Sequence, residues 1–185
     1  MHQALAGRQE RLSLSTFHTI STKNTPPGMC LQDIYLPSDP CSCEICSHYC
    51  TRPGWWTPEE AERVLATGYA SRMMLEVSPE LTLGVLSPAF RGSEGNFATQ
   101  EYSGNGCTFL TGGMCELHGT GFQPLECRFC HHDRVGQGIE CHSAIEASWQ
   151  TPKGKKIVNR WIQLVHFRSA EYYYTLLKSH RRPRR

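Results

Sequence analysis

The chain has 185 residues, of which 39% are hydrophobic, and this length suits one domain with a buried core. Its formal net charge of +2 is too small to indicate a polyanionic partner, so nucleic-acid binding is not expected from charge. No stretch approaches the roughly 20 apolar residues of a membrane-spanning helix, so no membrane partner is expected either.

Residues 1–29 are polar, lack hydrophobic periodicity and end in Pro26-Pro27-Gly28. They contain no apolar run of the kind that secretory signal peptides have, and they resemble an organellar transit peptide only faintly. We interpret them as a flexible leader and predict a cytoplasmic, reducing location. Clustered thiols in such a compartment are more often metal ligands than disulfides.

The stretch PCSCEICSHYC contains the first cysteine group, which comprises Cys41, Cys43, Cys46 and Cys50. The two-residue spacer between Cys43 and Cys46 predicts two thiolates on one tight turn, as in zinc and iron–sulfur sites. Redox dithiols share this spacing, so the spacer alone does not decide between the two chemistries.

A helix is predicted over residues 58–67. Thr57 is a suitable N-cap, Pro58 suits the first helical position, and Glu60 completes a capping box. Gly68 follows where such a helix would end. Short apolar segments at 73–77 and 81–85 then predict two strands, and the turn-rich residues 87–106 predict a surface loop.

The sequence CTFLTGGMCELH predicts a β-hairpin over about residues 107–117. If residues 111–113 form a three-residue loop, Phe109 pairs with Cys115. Cys107 and Cys115 then lie on the same side, about 7–8 Å apart at Cα, which suits two ligands of one cluster and is too long for an unstrained disulfide. A two-residue loop would instead place the two thiols on opposite sides.

The second cysteine group comprises Cys107, Cys115, Cys127, Cys130 and Cys141, and the segment 51–106 before it contains no cysteine. Two dense groups separated in this way favour metal ligands from two parts of the chain over a scattered disulfide framework. The spacing of Cys127 and Cys130 repeats that of Cys43 and Cys46, and the βαβ context of a thioredoxin-like pair is absent.

A second helix is predicted over about residues 152–176, because Thr151-Pro152 repeats the cap-then-proline start. Its apolar stripe comprises Ile157, Trp161, Leu164 and Val165, and Tyr172-Tyr173-Tyr174 continue it. The basic tail 179–185 is interpreted as a solvated terminus. Together these elements predict a small, irregular α+β domain over residues 30–178, with many loops and stabilised by metal.

The cysteines predicted to ligate metal are Cys41, Cys43, Cys46, Cys50, Cys107, Cys115, Cys127 and Cys130. For Cys41, Cys130 and Cys141, burial as a small hydrophobe is an equal alternative, and it is the interpretation that we prefer for the isolated Cys30. Imidazole is also a good zinc ligand. Because cysteines alone suffice for one or two four-coordinate sites, we expect most of the neighbouring histidines to lie at the surface or to support the ligands: His48, His118, His131, His132 and His142.

Three further segments follow the first cysteine group in order: Cys107-Thr108-Phe109-Leu110, Cys115-Glu116-Leu117-His118 and Pro124-Leu125-Glu126-Cys127-Arg128. This order, over about residues 41–142, resembles the YkgJ-like cysteine-cluster family and implies a zinc- or iron-chelating domain. The family pattern differs in two places, because it commonly has adjacent cysteines where Cys46 and Cys50 are separated here, and proline where Cys130 follows Phe129. Flagellin lysine methylases, which use an iron–sulfur cluster, are related to this family.

We therefore expect a metal-chelating protein that binds a 4Fe–4S cluster or zinc through both cysteine groups. Arg128, beside Cys127, is predicted to neutralise thiolate charge and to donate hydrogen bonds to sulfur.

Two alternatives stay open. An iron–sulfur enzyme of redox or methyl-transfer type would use residues 87–106 as a lid, but no GxGxxG fingerprint or acid–base pair supports it. A zinc-stabilised adaptor for protein or nucleic acid would use the basic tail and Trp55-Trp56. A nucleophilic pair of Cys127 and His131 is the weakest hypothesis.

Overall fold

The computed structural model describes residues 31–78 and 83–166, so that Cys30, the predicted leader and the basic tail lie outside the described residues. The helices are α1 (Leu31–Ile34), α2 (Glu44–Tyr49), α3 (Pro58–Leu65), α4 (Ile139–Trp149) and α5 (Pro152–Leu164). The strands are β1 (Met73–Val77), β2 (Gly84–Pro88), β3 (Leu110–Thr111) and β4 (Met114–Cys115). The prediction of a small α+β fold with many loops is confirmed.

Helix α3 begins with the predicted capping box. The Glu60 backbone N–H donates to the Thr57 hydroxyl at 3.2 Å, and the Thr57 N–H donates to the Glu60 carboxylate at 3.1 Å. The helix ends at Leu65, and Gly68 adopts a φ of 87°, a left-handed conformation that favours glycine.

Strands β1 and β2 pair antiparallel, with Met73 opposite Pro88 and Val77 opposite Gly84. Of the predicted second strand, 81–85, residues 81 and 82 lie outside the described residues. Strand β2 comprises Gly84–Pro88, and before it the Ser78 N–H donates to the Leu83 carbonyl at 3.0 Å. The predicted surface loop 87–106 begins inside the buried strand β2. Its later part is fastened to β1, since the Leu75 N–H donates to the Asn96 carbonyl and the Leu75 carbonyl accepts from the Ala98 N–H, each at 3.0 Å. This attachment argues against a freely moving lid.

The hairpin β3–β4 has the two-residue loop, the second of the two alternatives that the sequence left open. Leu110 pairs with Cys115 and Thr111 with Met114, so that the loop consists of Gly112 and Gly113. The three-residue alternative does not form, because both glycines take positive φ values, 58° and 78°, which suit a two-residue hairpin turn. Cys107 therefore lies outside the hairpin, where it forms a β-bridge with Phe90.

The core is built around three buried tryptophans whose indole N–H groups all donate to backbone carbonyls. Trp56 donates to Phe122 at 2.8 Å, Trp149 to Trp56 at 2.7 Å, and Trp161 to Ala70 at 2.8 Å. Burying the polar N–H groups with partners avoids their desolvation cost. Because Trp56 is buried and the Trp55 indole bonds Glu76 at 3.0 Å, this pair offers no exposed docking surface.

Helix α5 confirms the predicted start, with the Thr151 hydroxyl accepting from the Gly154 N–H at 3.2 Å. It ends at Leu164 and not at residue 176, and Tyr172–Tyr174 lie outside the described residues. Helix α4 was not predicted. Within residues 31–78 and 83–166, no helix combines the length and apolar character that crossing a membrane requires.

Candidate metal centre

Three cysteines of the first group meet one histidine of the later segment at the protein surface. The ligand atoms of Cys41, Cys43, Cys46 and His132 all lie within 4.8 Å of one another. His132 Nδ1 is 3.6, 3.7 and 3.4 Å from the sulfurs of Cys41, Cys43 and Cys46, respectively. We call these four residues the surface site.

Helix α2 positions two of these ligands. Cys43 is its N-cap residue and Cys46 lies in its first turn, so the two-residue spacer places both thiols at a helix N-terminus. His132 begins a short 3₁₀ helix, His132–Arg134, and its backbone N–H donates to the Cys46 sulfur at 3.4 Å. On the other side of the ring, Nε2 contacts the Asp133 carboxylate at 3.1 Å, an arrangement that orients metal-binding imidazoles.

The thiols of the surface site differ in acidity. The backbone amide of Cys46 beside the exposed Cys43 sulfur lowers the pKa of Cys43 to about 7. Burial raises the pKa of Cys46 to about 12, so its proton leaves at neutral pH only when a cation replaces it.

The geometry of the surface site fits a tetrahedral ion. Zn–S and Zn–N bonds of about 2.3 and 2.0–2.1 Å at the tetrahedral angle separate the nitrogen from each sulfur by about 3.6 Å. The three observed separations, 3.4–3.7 Å, match this value. Three thiols and one imidazole also form one of the common donor sets of structural zinc.

Five histidines lie beside cysteines in the sequence, and the sequence did not single out His132 among them as a ligand candidate. The adjacent His131 is buried, and its Nδ1 accepts the Asp133 N–H at 3.3 Å. His131, His132 and Asp133 also bring their ligand atoms within 4.8 Å of one another. One feature of the sequence could have pointed to His132. It closely follows Cys130, which stands where the resembled family has proline.

The other predicted ligands line a neighbouring cavity of about 50 Å³. We call it the thiol cavity, and its cysteines are Cys50, Cys107, Cys115, Cys127 and Cys130. Cys41 and Cys46 of the surface site also reach its wall. The structure thus brings all eight predicted ligands into one region, although Cys50 groups with the later cysteines and not with its sequence neighbours.

Backbone contacts hold these thiols in place. The Cys50 carbonyl accepts the Cys107 N–H at 2.8 Å, which joins the two cysteine groups directly. The Gly54 N–H donates to the Cys127 sulfur at 3.2 Å, and the Cys130 N–H donates to the Cys127 carbonyl at 3.0 Å. All nine cysteines of the described residues are free thiols.

The buried thiols of the cavity keep their protons at neutral pH unless a cation replaces them. Burial raises the pKa of Cys50 to about 11 and that of Cys107 to about 12. The Cys127 thiol hydrogen-bonds to the Cys130 sulfur, which lowers the pKa of Cys130 and raises that of Cys127. Neighbouring thiolates raise one another's pKa, and a cation removes this repulsion.

Two side chains have roles in packing. Cys141 is buried in the core on α4, away from both sites, and burial raises its pKa to about 12. Arg128 is buried as well, and its guanidinium bonds to Glu60 at 3.3 Å and to the carbonyls of Gln32 and Tyr35 at 3.1 and 2.5 Å. None of these bonds reaches a sulfur, so Arg128 fastens α1 to α3, in contrast to the expected contact with thiolates.

A histidine–carboxylate pair lies beside the thiol cavity. His142 Nδ1 and a Glu126 carboxylate oxygen are 2.6 Å apart, and the imidazole packs against the Trp55 ring at a centroid distance of 4.4 Å. The pair lines an open groove of about 380 Å³ that Cys130 also reaches.

No family model, curated protein or solved structure matches the chain in comparisons with known proteins. The donor atoms and their spacing are therefore what indicate a metal centre.

Proposed function

We propose that this protein chelates metal at two adjacent centres, a zinc ion at the surface site and an iron–sulfur cluster or a second zinc ion in the thiol cavity. The observation that carries the proposal is the spacing of His132 Nδ1 from three sulfurs, 3.4–3.7 Å. This spacing of one imidazole nitrogen from three sulfurs has no evident role in packing, because Cys43 and His132 are exposed.

The thiol cavity supports the second centre through its number of donors. Its five sulfurs exceed the four that one zinc ion or one 4Fe–4S cluster requires. The five sulfurs do not lie as close together as the ligand atoms of the surface site. This wider spacing suits a polynuclear cluster, because a cluster holds its thiolates farther apart than a single ion does. The resemblance of residues 41–142 to the YkgJ-like cysteine-cluster family agrees with zinc or iron chelation.

Metal analysis of the anaerobically purified protein tests the proposal. We expect two metal centres per chain, and we expect Cys43→Ala to remove the metal of the surface site alone, because Cys43 does not line the thiol cavity. Cys141→Ala is the matched control, since Cys141 is a core cysteine, and it should keep the full metal content. A metal-free, folded wild-type protein would contradict the proposal.

A second candidate function is an iron–sulfur enzyme, and the observation that favours it is the Glu126–His142 pair. A carboxylate that orients a half-exposed imidazole is a common arrangement for proton transfer, and the groove offers space for a substrate next to Cys130. Spectra of the native protein before and after dithionite reduction decide this candidate. A centre that contains only zinc is redox-inert and excludes it.

A further inference from the structure

Two unpartnered polar atoms belong to residues that line the thiol cavity. Among the described residues, three buried side-chain nitrogen or oxygen atoms lack a hydrogen-bond partner, and two of them, His118 Nε2 and Gln123 Oε1, belong to residues that line this cavity. A buried polar atom left unpaired carries a desolvation cost that no hydrogen bond offsets. Native proteins usually satisfy such atoms with an ion, a water or a ligand.

The backbone around β4 explains why the His118 ring is in this position. The His118 N–H donates to the Cys115 carbonyl at 3.1 Å, which closes a tight turn directly after the strand. Cys115 and His118 therefore reach the same cavity wall. Nε2 of the His118 ring is buried, and it offers a lone pair when Nδ1 carries the proton.

We propose that His118 Nε2 is a nitrogen ligand of the metal centre in the thiol cavity, which makes this centre a mixed sulfur–nitrogen site. The inference rests on the proposed function, because it requires metal in the cavity. Zinc accepts imidazole together with thiolate, and some iron–sulfur centres replace cysteine by histidine. The Gln123 amide on the same wall is a hydrogen-bonding group for the same bound species.

The test uses a background in which only the thiol cavity binds zinc. Cys43→Ala together with His132→Ala disables the surface site and changes no residue that lines the cavity. We expect X-ray absorption of this zinc-loaded full-length variant to show imidazole scattering as well as sulfur, and His118→Phe to remove the imidazole contribution. Since loss of a group that merely orients a ligand costs 10–100-fold in metal affinity, we expect His118→Phe to weaken zinc binding by at least about 100-fold.

The matched control is His48→Phe, because His48 is exposed on α2 and lines neither site. It should leave the zinc affinity and the scattering unchanged. Urea unfolding in EDTA separates ligand loss from misfolding, since His118→Phe removes an unpaired buried nitrogen and should not destabilise the metal-free chain. Sulfur-only scattering, or wild-type zinc affinity in His118→Phe, overturns the assignment. A background variant that binds no zinc overturns the cavity as a metal centre, and this inference with it.

Discussion

Arg128 illustrates how a buried charge is accommodated at the level of single residues. Its guanidinium is paired with Glu60, whose carboxylate also accepts from the Thr57 and Leu125 backbone N–H groups at 3.1 and 3.0 Å. Burial raises the pKa of Glu60 even though these amides and Arg128 act to lower it. Burial therefore outweighs the amides and Arg128 in the direction of this pKa shift.

We expect Arg128→Met to lower the free energy of unfolding by about 3 kcal/mol at pH 7, because it leaves the Glu60 charge buried without its cation. A carboxyl whose pKa is raised in the folded state favours folding at acid pH, and this contribution is lost as the pH rises. The deficit should therefore be smaller at pH 5 than at pH 7, as measured by urea unfolding in EDTA. The control is Arg160→Met, whose exposed partner Glu62 is 3.9 Å away, with a change under about 0.5 kcal/mol. Equal deficits at both pH values would contradict the explanation.

Residue type and spacing identified three of the four members of the surface site, Cys41, Cys43 and Cys46. They could not identify His132, because five histidines lie near cysteines and only the folded chain determines which imidazole faces the sulfurs. Arg128 was misjudged for the same reason, since its neighbour in sequence, Cys127, is not its contact partner.

At the scale of elements, a close backbone contact positions the thiol cavity. The Trp55 N–H donates to the Glu126 carboxylate at 2.7 Å, and the neighbouring Gly54 donates to the Cys127 sulfur. A Cβ at Gly54 would lie 2.8 Å from Glu126 Cβ and 2.9 Å from the Cys127 backbone nitrogen. Only glycine allows these two segments to approach so closely.

We expect Gly54→Ala to destabilise the protein by about 1–3 kcal/mol, because the Glu126–Cys127 backbone must move away. The Cys127 sulfur would move with it, so the metal of the thiol cavity should be lost while the surface site keeps its zinc. Metal analysis and urea unfolding measure the two effects. Gly104→Ala is the control, since a Cβ there meets nothing within 4 Å. Full metal content in Gly54→Ala would show that the contact does not position Cys127.

The two helix caps offer a comparison at the same scale. Thr57 is buried and also accepts from the Gln32 side-chain amide at 2.9 Å. Thr151 is exposed, and its hydroxyl accepts from Gly154 and donates to the Ser148 carbonyl at 2.7 Å. We expect Thr57→Ala to lower the free energy of unfolding by about 2 kcal/mol and Thr151→Ala by about 0.5–1 kcal/mol. Urea unfolding of the two variants checks the difference. Equal losses would mean that burial and the Gln32 bond add nothing to the cap.

Elements with local chemistry were predictable, and those set by distant contacts were not. The capping box of α3 depends on four consecutive residues, and it was found. The hairpin register depends on whether Gly112 and Gly113 form the loop alone, which the sequence left open. Helix α4 was missed because its buried stripe, Cys141, Ile145 and Trp149, includes a cysteine that had been grouped with the metal ligands.

At the scale of the whole molecule, both sites join segments that are distant in sequence. The surface site connects Cys41–Cys46 with His132, and the thiol cavity connects Cys50 with residues 107–130. The clustering of the cysteines along the sequence predicted that both groups converge on one region, and the structure places them there. The division into two sites could not be predicted, because it depends on where the folded chain places His132 and residues 107–130.

Because both sites need the folded chain, metal should stabilise it by mass action. Zinc in 100-fold excess over its Kd adds about 2.7 kcal/mol per site if the unfolded chain does not bind it. We expect Tm to rise with free zinc concentration and to fall when EDTA is added, as followed by thermal unfolding. Since the thiols of Cys46 and Cys107, with pKa values of about 12, must lose protons to bind, the stabilisation should increase with pH. Cys43→Ala should lose only the part that belongs to the surface site, and a Tm independent of zinc at every pH would exclude metal as a structural element of this fold.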